Sequence, residues 1–266
     1  MGKPIIVIKL GGSALTDKTR IYTPRIAMIR KAAKQVANLT GAFSIILVHG
    51  AGSYGHIPAK RWNLAAGFKH TSQLAGLSIT KQKLMELEAV LSEAFLRQRI
   101  PIFPMSTSDF IITSKGRISS ADLQPVRRWI GLGCVPSLGG DLVTDLKRGF
   151  AILSGDQLAA YLAIQLKATR LIFGTDVDGI YDSNPKMNRH ARLLKTLSSS
   201  DASKLARAAR IMTAPDVTGG MAGKIKEAVG AARNGIPVDF VNLTKGERLK
   251  AVALGQDADC TRILPD

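Results

Sequence analysis

Three lysines stand next to glycine-rich turns at separate points of the chain. Lys9 and Lys18 flank the turn Gly11-Gly12-Ser13, and Lys224 follows a second turn, Gly219-Gly220-Met221. Glycine lets backbone amides approach phosphate oxygens closely, and lysines neutralise the charge of a phosphoryl group in transfer. Because Lys9 ends a strongly apolar run, burying it without an anionic partner is unfavourable. These residue types therefore indicate phosphoryl transfer, with cations that come from several loops.

A third glycine-rich segment runs from His49 to His56 and matches the pattern G-x-G-x-x-G at residues 50–55. In dinucleotide-binding proteins that pattern is joined by an acidic residue about 20 positions later, which binds the ribose. The chain has no acidic residue between Asp17 and Glu86. It also lacks the P-loop pattern G-x-x-x-x-G-K-[ST] and the protein-kinase motifs. We therefore interpret the segment as an anion-binding loop and not as an NAD site.

The elements that position these loops follow an α/β pattern. Apolar runs that end in glycine or small polar residues predict strands at 5–10, 43–48, 100–105, 134–138, 170–175 and 238–243. Helical spacing predicts helices at about 24–39, 72–98, 123–132, 155–167 and 221–233, and turn residues predict a hairpin within 110–118. Ligands of open α/β sheets gather at the carboxyl ends of the strands, so the glycine loops are expected to form one site.

The charge balance favours anionic ligands. Lysine and arginine number 37 against 20 acidic residues, which gives a net charge of +17. Such a field attracts nucleotides, phosphorylated metabolites or nucleic acid. Aromatic residues make up only 5% of the chain and are not interleaved with the basic ones, so we do not expect a nucleic acid partner. No apolar run reaches the roughly 18 residues of a membrane span, and no signal peptide is recognisable, so we expect a cytoplasmic protein without a membrane partner.

Three motifs, in this order, resemble those of the amino acid kinase family along almost the whole chain: Lys9-Leu10-Gly11-Gly12-Ser13, Thr175 to Tyr181 with Pro185-Lys186, and Asp216 to Lys224. The resemblance implies a three-layer α/β/α sandwich with a mainly parallel central sheet, formed by residues 1–266 as one domain. It implies an N-terminal lobe, 1–169, for a phosphate acceptor and a C-terminal lobe, 170–266, for ATP that carries Mg²⁺ on its phosphates, with no metal ligands from the protein.

The resemblance also assigns residues. It implies catalytic roles for Lys9, Lys18, His56, Asp156 and Lys224, in which Asp156 orients Lys9 and Lys224 on the phosphates. It implies ATP contacts from Lys9, Gly11, Gly12, Ser13, Gly52, Asp176, Asp178, Gly179, Tyr181, Pro185, Lys186, Gly220 and Lys224. It implies acceptor contacts from Gly50, Ala51, Gly52, His56, Gly139, Gly140 and Asp156.

Within the family, Lys18 after the first glycine loop and His56 at the end of the second resemble features of the isopentenyl phosphate kinases. There the histidine binds the acceptor's phosphate and the lysine assists transfer, which suits the charge-assisted hydrogen bonds that imidazole donates. The expected reaction is direct transfer from ATP to isopentenyl phosphate in isoprenoid biosynthesis, by a homodimer. The acceptor's tail is expected against the helix that begins near Ser72, at Leu74, Leu77 and Ile79.

Two departures from the family pattern and two alternatives remain. Ala51 stands where the family usually has glycine, and Gln157 stands where an aspartate often follows Asp156. One alternative is another kinase of the same fold, such as a UMP kinase or a fosfomycin-type kinase. The other is a non-catalytic nucleic-acid-binding or regulatory protein, for which the net charge is the only argument.

Overall fold

Strands and helices alternate along the computed structural model, which describes residues 2–17, 19–183, 185, 187–212 and 220–265. Its strands are Ile5–Leu10 (β1), Ser44–His49 (β2), Ile102–Met105 (β3), Ile111–Ser114 (β4), Arg117–Ala121 (β5), Val135–Gly139 (β6), Asp141–Asp145 (β7), Gly149–Leu153 (β8), Arg170–Thr175 (β9), Thr196–Ser198 (β10), Val238–Asn242 (β11) and Cys260–Leu264 (β12). Its helices are Gly12–Leu15 (α1), Ile26–Ala37 (α2), Gly52–Arg61 (α3), Gln73–Leu96 (α4), Gln124–Gly131 (α5), Gly155–Gln165 (α6), Ser199–Met212 (α7), Gly220–Arg233 (α8) and Arg248–Ala253 (α9).

The central sheet has the strand order β10-β12-β11-β9-β1-β2-β6-β3. Its pairs are parallel except β11 with β12. Helices cover both faces: α2, α4 and α9 supply the core on one side, and α5, α6, α7 and α8 supply it on the other. The predicted α/β/α sandwich with a mainly parallel sheet is therefore confirmed. No helix in the described ranges is long and apolar enough to cross a membrane.

Side-chain alternation in β1 decides where its lysine points. Ile6, Ile8 and Leu10 enter the core under α2 and α4, whereas Val7 enters the core under α6. Successive strand residues face opposite sides of a sheet, so Lys9 shares the α6 side with Val7. Its register neighbours Val48 and Phe173 belong to that same core.

A second sheet, with the order β5-β4-β7-β8, flanks the carboxyl edge of the first. The predicted hairpin within 110–118 is present as β4 and β5. The hairpin of β7 and β8 was not predicted. Burial alternates along β7 but not along β8, and two of the three buried side chains of β7 are the carboxylates Asp141 and Asp145, so the sequence lacks the apolar–polar alternation that indicates a half-buried strand.

Two helix starts differ from the sequence prediction. The helix expected at Pro24 begins at Ile26, because Pro24 instead forms an isolated bridge with Thr16. The segment interpreted as a loop up to His56 is helical from Gly52 onward.

Asp145 joins the tips of the two hairpins of the second sheet. Its buried carboxylate accepts hydrogen bonds of 2.7 to 3.1 Å from the backbone amides of Lys115, Gly116, Lys147 and Arg148 and from the Thr113 hydroxyl. Burial alone would raise the pKa of Asp145, but these donors, Gly116 foremost, hold it well below its ordinary value.

We expect Asp145→Ala to lower the free energy of unfolding by roughly 2 to 3 kcal/mol, because several turn amides lose a charged acceptor. Urea denaturation measures this loss, and Asp257→Ala, at an exposed position, is the control with an expected change near zero. The carboxylate stabilises the fold above the unfolded-state pKa of about 3.9, so the difference from wild type should shrink as the pH falls below about 4. An undiminished difference at pH 3 would contradict this assignment.

Candidate active site

A cleft of about 340 Å³ opens where β1, β2 and β9 end. This volume lies in the range of small-molecule sites. Its walls are Lys9, Gly11, Gly12, Ser13, Gly50, Ala51, Gly52, Gly55, His56, Ala59, Thr80, Leu84, Gly140, Asp141, Leu142, Ile152, Leu153, Ser154, Gly155, Asp156, Thr175, Asp176, Val177, Gly220, Met221 and Lys224. The expectation that the glycine loops lie at one site is therefore confirmed.

The first two glycine loops touch each other at the base of the cleft. A Cβ atom at Gly12 would lie 2.6 Å from the Gly52 nitrogen, and one at Gly50 would lie 2.6 Å from the Gly12 nitrogen. Gly52 also has a φ of 51°, in the left-handed region that favours glycine. Only glycine allows this approach, which places the first turns of α1 and α3 side by side. Amides at helix N-termini have no intrahelical partner and attract anions.

Lys9 and Lys224 share one carboxylate in the cleft. The Nζ of Lys9 lies 2.7 Å from Asp156 Oδ1, and the Nζ of Lys224 lies 2.8 Å from Oδ2 and 2.9 Å from Oδ1. Lys9 is 4% exposed and Asp156 is 6% exposed. The two ammonium groups are thus fixed in position by a single anion, with one positive charge in excess.

Each member of this cluster comes from a rigid element. Asp156 is the second residue of α6, where its backbone amide donates to the Ser154 side chain at 3.1 Å and where the helix dipole favours a carboxylate. Lys224 lies one turn into α8, which packs on α6, and its Nζ is 5.5 Å from the centre of the Phe173 ring. The sheet and two helices therefore hold the three charges together.

Burial and pairing act in opposite directions on these charges. Burial lowers the pKa of Lys9 from 10.5 to about 8, and Asp156 only partly offsets this effect. Burial alone would raise the pKa of Asp156, but Lys224 and Lys9 together hold it far below its ordinary value. The carboxylate is therefore ionised throughout the neutral range, and Lys9 is a cation close to its point of deprotonation.

His56 stands above the glycine loops on α3. Gly52, Gly55, His56 and Ala59 all line the cleft, and they share one face because their spacing follows the helical period. Since helical side chains lean toward the N-terminus, His56 lies over the first turn of α3. His56 thus lines the cleft on the same helical face as Gly52, the last glycine of the predicted anion-binding loop before it.

The apolar wall beyond His56 differs from the expectation. Thr80 and Leu84, one turn apart on α4, line the cleft together with Leu142 and Ile152 of the β7–β8 hairpin. Leu74 and Ile79 are exposed instead, and Leu77 packs in a separate small core with Trp62 and Phe150. None of these three residues lines the cleft, because the helix presents its next turn there, and the expected tail contacts at 74, 77 and 79 stay a prediction. Residues 141–153 show no apolar–polar alternation, so the sequence carried no clear signal for the missed hairpin residues.

Most of the predicted site residues meet in the cleft: Lys9, Gly11, Gly12, Ser13, Gly50, Ala51, Gly52, His56, Gly140, Asp156, Asp176, Gly220 and Lys224. Pro185, Gly139 and three residues of the segment 178–181 lie outside its lining. Lys18 and Lys186 lie outside the residues that the structure describes, as does the motif segment 213–219. Their predicted roles stay predictions.

Asp178 supports the loop after β9 and is not among the residues that line the cleft, and its predicted ATP contact stays a prediction. It accepts from Asn242 Nδ2 at 2.8 Å and pairs with Arg248 at 2.9 Å and Lys245 at 3.0 Å, while the Tyr181 hydroxyl lies 3.3 Å away. Gly179 packs against Thr261, where a Cβ would meet the hydroxyl. The segment 178–181 is thus tied to β11, β12 and α9.

Gly139 and Gln157 both make their contacts outside the lining of the cleft. A Cβ at Gly139 would lie 2.7 Å from Cε1 of His49, so this glycine makes room for an imidazole. Gln157 accepts from the Ile118 amide at 3.2 Å and donates to the Gly116 carbonyl at 3.1 Å. The departure from the family's aspartate at position 157 therefore affects contacts with the β4–β5 hairpin. The departure from glycine at Ala51, in contrast, lies in the lining of the cleft.

Comparisons with known proteins agree with this architecture. The sequence profile of the amino acid kinase family matches residues 4–242. The isopentenyl phosphate kinase of Methanothermobacter thermautotrophicus is 35% identical over 97% of this chain and 98% of its own. That of Thermoplasma acidophilum is 32% identical over 87% of this chain and 90% of its own. A solved isopentenyl phosphate kinase structure aligns with a TM-score of 0.84 and 31% identity over 97% of this chain and 99% of that one. On this fold, this site and these matches, the chain belongs to the amino acid kinase family.

Proposed function

We propose that this protein transfers the γ-phosphoryl group of ATP to isopentenyl phosphate, which yields ADP and isopentenyl diphosphate. The observation that carries the proposal is one cleft that combines the paired cations Lys9 and Lys224 with glycine loops and a histidine. An apolar wall from α4 and the β7–β8 hairpin lies in the same cleft. The names of the full-length relatives support the same reaction.

In the proposed mechanism an oxygen of the acceptor's phosphate attacks the γ-phosphorus of ATP. The bond between that phosphorus and the oxygen that bridges to the β-phosphate breaks, so no phosphoenzyme forms. Lys9 and Lys224 neutralise the charge that spreads over the phosphoryl oxygens, and Asp156 fixes both ammonium groups before the substrates arrive. The protein's contribution is positioning and charge stabilisation.

The acceptor is proposed to lie under α3, with its phosphate at the amides of Ala51 and Gly52 and at His56. Ala51 retains its backbone N–H, so the departure from glycine keeps that donor. The nucleotide is proposed to lie on the opposite side, where Gly11, Asp176 and Gly220 line the cleft. Magnesium is proposed to enter as part of the nucleotide substrate. The lobes 1–169 and 170–266, the homodimer and the cytoplasmic location stay predictions.

A side-by-side kinase assay tests the proposal. Isopentenyl phosphate, dimethylallyl phosphate, UMP and fosfomycin are each supplied with ATP and Mg²⁺, and ADP release is measured. We expect the two isoprenoid phosphates to be turned over at least 100-fold more efficiently than UMP or fosfomycin, because the wall beyond His56 is apolar and a base needs polar partners. A preference for UMP or fosfomycin would overturn the acceptor, and absence of turnover with all four would overturn the activity.

The low pKa of Lys9 predicts how nucleotide affinity depends on pH. A bound phosphate favours the ammonium form, so Lys9 must be protonated in the complex. The dissociation constant of a non-hydrolysable ATP analogue is therefore expected to be nearly constant well below the pKa of about 8 and to rise about fivefold between pH 8 and pH 9. Isothermal titration calorimetry measures it. Lys9→Arg keeps its charge across this range and should remove the pH dependence; a flat wild-type profile up to pH 9 would contradict the prediction.

A further inference from the structure

His49 ends β2 immediately before the acceptor loop, and its imidazole lies behind that loop. The residue lines a second cavity, together with Glu88, Ser92 and Met105, which adjoins the main cleft at Leu84, Gly140 and Asp141. It is 2% exposed. The contacts of the His49 ring are with Glu88, Gly50 and Gly139, so we expect its influence on the reaction to act through the loops it touches.

Both nitrogens of the imidazole face oxygen atoms. Nε2 lies 2.6 Å from Glu88 Oε2, and Nδ1 lies 3.4 Å from the carbonyl oxygen of Gly50. The second Glu88 oxygen accepts from the Ser92 hydroxyl at 3.0 Å. Burial would raise the pKa of Glu88, but His49 holds it below its ordinary value, so the carboxylate is ionised. Both oxygens are hydrogen-bond acceptors, so a ring nitrogen that carries a proton donates to the oxygen it faces.

The contact with Gly50 determines where the next amide points. A trans peptide is planar, and its C=O and N–H groups point in opposite directions. When the Gly50 carbonyl is directed toward His49, the Ala51 N–H is directed the other way, into the cleft that Ala51 lines. Rotation of this peptide by half a turn would place a carbonyl oxygen against the acceptor's phosphate, and glycine at position 50 offers little steric resistance to it.

The same residue also fixes the second acceptor loop. The backbone carbonyl of His49 accepts from the Gly140 amide at 3.0 Å, and its ring packs on the Cα of Gly139. One side chain thus contacts both loops that border the proposed phosphate position, and Glu88 holds that side chain from α4.

We propose that His49 is a positioning residue for the acceptor's phosphate: with Glu88 as its anchor, it holds the Gly50 carbonyl so that the Ala51 amide points at the phosphate. This inference rests on the proposed function and adds a residue that acts through the loops it touches. The contact of Nδ1 with Gly50 then serves acceptor binding, whereas the contact of Nε2 with Glu88 serves the stability of the fold.

Two amide substitutions separate the contacts, because each keeps one donor. In His49→Asn the amide nitrogen takes the place of Nδ1, retains the Gly50 contact and abandons Glu88. In His49→Gln the amide nitrogen takes the place of Nε2, retains the Glu88 contact and abandons Gly50. We expect His49→Gln to weaken isopentenyl phosphate binding about tenfold or more, and His49→Asn to weaken it threefold or less. The melting temperature should fall further in His49→Asn than in His49→Gln, because the asparagine leaves Glu88 buried without its partner.

The measurements are the KM of isopentenyl phosphate, the KM of ATP and the melting temperature. The ATP value should change less than twofold in both variants. If His49 has a purely structural role, the variant with the lower melting temperature should also bind isopentenyl phosphate more weakly, and that result would overturn the proposal. Equal losses of affinity for isopentenyl phosphate and for ATP would also overturn it. The double variant His49→Asn with Glu88→Gln removes the unpaired charge and permits the comparison if His49→Asn alone does not fold.

Failure of the proposed function is detected separately. If the wild-type protein does not turn over isopentenyl phosphate, the proposed acceptor is wrong, whatever the variants do. The His49 comparison is then made by titrating inorganic phosphate into protein saturated with a non-hydrolysable ATP analogue. A tenfold weaker phosphate affinity in His49→Gln than in His49→Asn would still support the positioning role, and equal affinities would overturn it.

Discussion

Replacing Lys224 by methionine is expected to lower kcat about 1000-fold and to leave the melting temperature within a few degrees of wild type. Methionine retains much of the lysine's length but removes the charge from the phosphoryl group in transfer, and removal of one such preorganised donor costs about 10²- to 10³-fold or more. Stability is spared because Asp156 keeps Lys9 as its partner at 2.7 Å, so no buried charge is left alone. Steady-state kinetics at saturating substrates measures kcat, and thermal unfolding measures stability.

The exposed Lys226 on the same helix provides the matched control. Lys226→Met removes an equal charge from α8 and should keep kcat within twofold. Asp156→Ala provides the contrast, because it leaves two buried ammonium groups without their anion; breaking such a buried pair typically costs about 3 to 5 kcal/mol. If Lys224→Met instead loses stability as Asp156→Ala does while retaining activity, the lysine is structural and the proposed catalytic role is wrong.

The positions of the two lysines could be predicted from sequence for different reasons. Lys9 ends an apolar run of the length of a buried strand, so its place at the carboxyl edge followed from the fold class. Lys224 was placed by a motif whose preceding residues, 213–219, lie outside the described structure. The pairing of both with Asp156 joins residues far apart in the chain, so local spacing could not predict it. The family resemblance alone implied it, and the structure shows the contacts at 2.7 and 2.8 Å.

The apolar wall of the cleft could not be predicted from the helical pattern alone. Helical spacing in residues 73–96 shows which positions share a face, but it does not show which turn reaches the cleft. That is decided by the β7–β8 hairpin, whose Leu142 and Ile152 meet Thr80 and Leu84. Gln157 is a similar case, since only the folded hairpin reveals that its amide bonds to Gly116 and not to a ligand.

The motif at 175–186, which the resemblance assigns to nucleotide binding, does not show which of its residues contact the ligand. Asp178 has a carboxylate of the type that binds a ribose, yet in the fold it holds Arg248, Lys245 and Asn242. A sequence motif indicates that a residue type is needed at its position. Ligand binding and support of a loop can each require the same residue type, so the motif does not distinguish between them. Asp176 lines the cleft, whereas Asp178 pairs with Arg248 and Lys245, and an ATP contact of either residue stays a prediction.

Replacing His56 by alanine is expected to lower kcat/KM for isopentenyl phosphate about 100-fold, with the KM of ATP changed less than twofold. The imidazole lines the cleft one helical turn beyond Gly52, and a charge-assisted hydrogen bond to phosphate contributes about 1.5 to 3 kcal/mol, or roughly 10- to 100-fold. Because the amides of the glycine loops remain, the acceptor should still bind weakly, so the loss appears mainly in the KM of isopentenyl phosphate.

The controls for His56 decide between a contact with the acceptor and a general disturbance of α3. His70→Ala, at an exposed histidine, should leave both KM values unchanged, and His56→Gln, which keeps a donor of similar reach, should recover at least part of the loss. A variant lacking His56 that retained full activity on phosphate acceptors would remove the residue from the site. Equal losses toward ATP and the acceptor would instead place its effect on the first turn of α3, because that turn lies against α1 and the nucleotide side of the cleft.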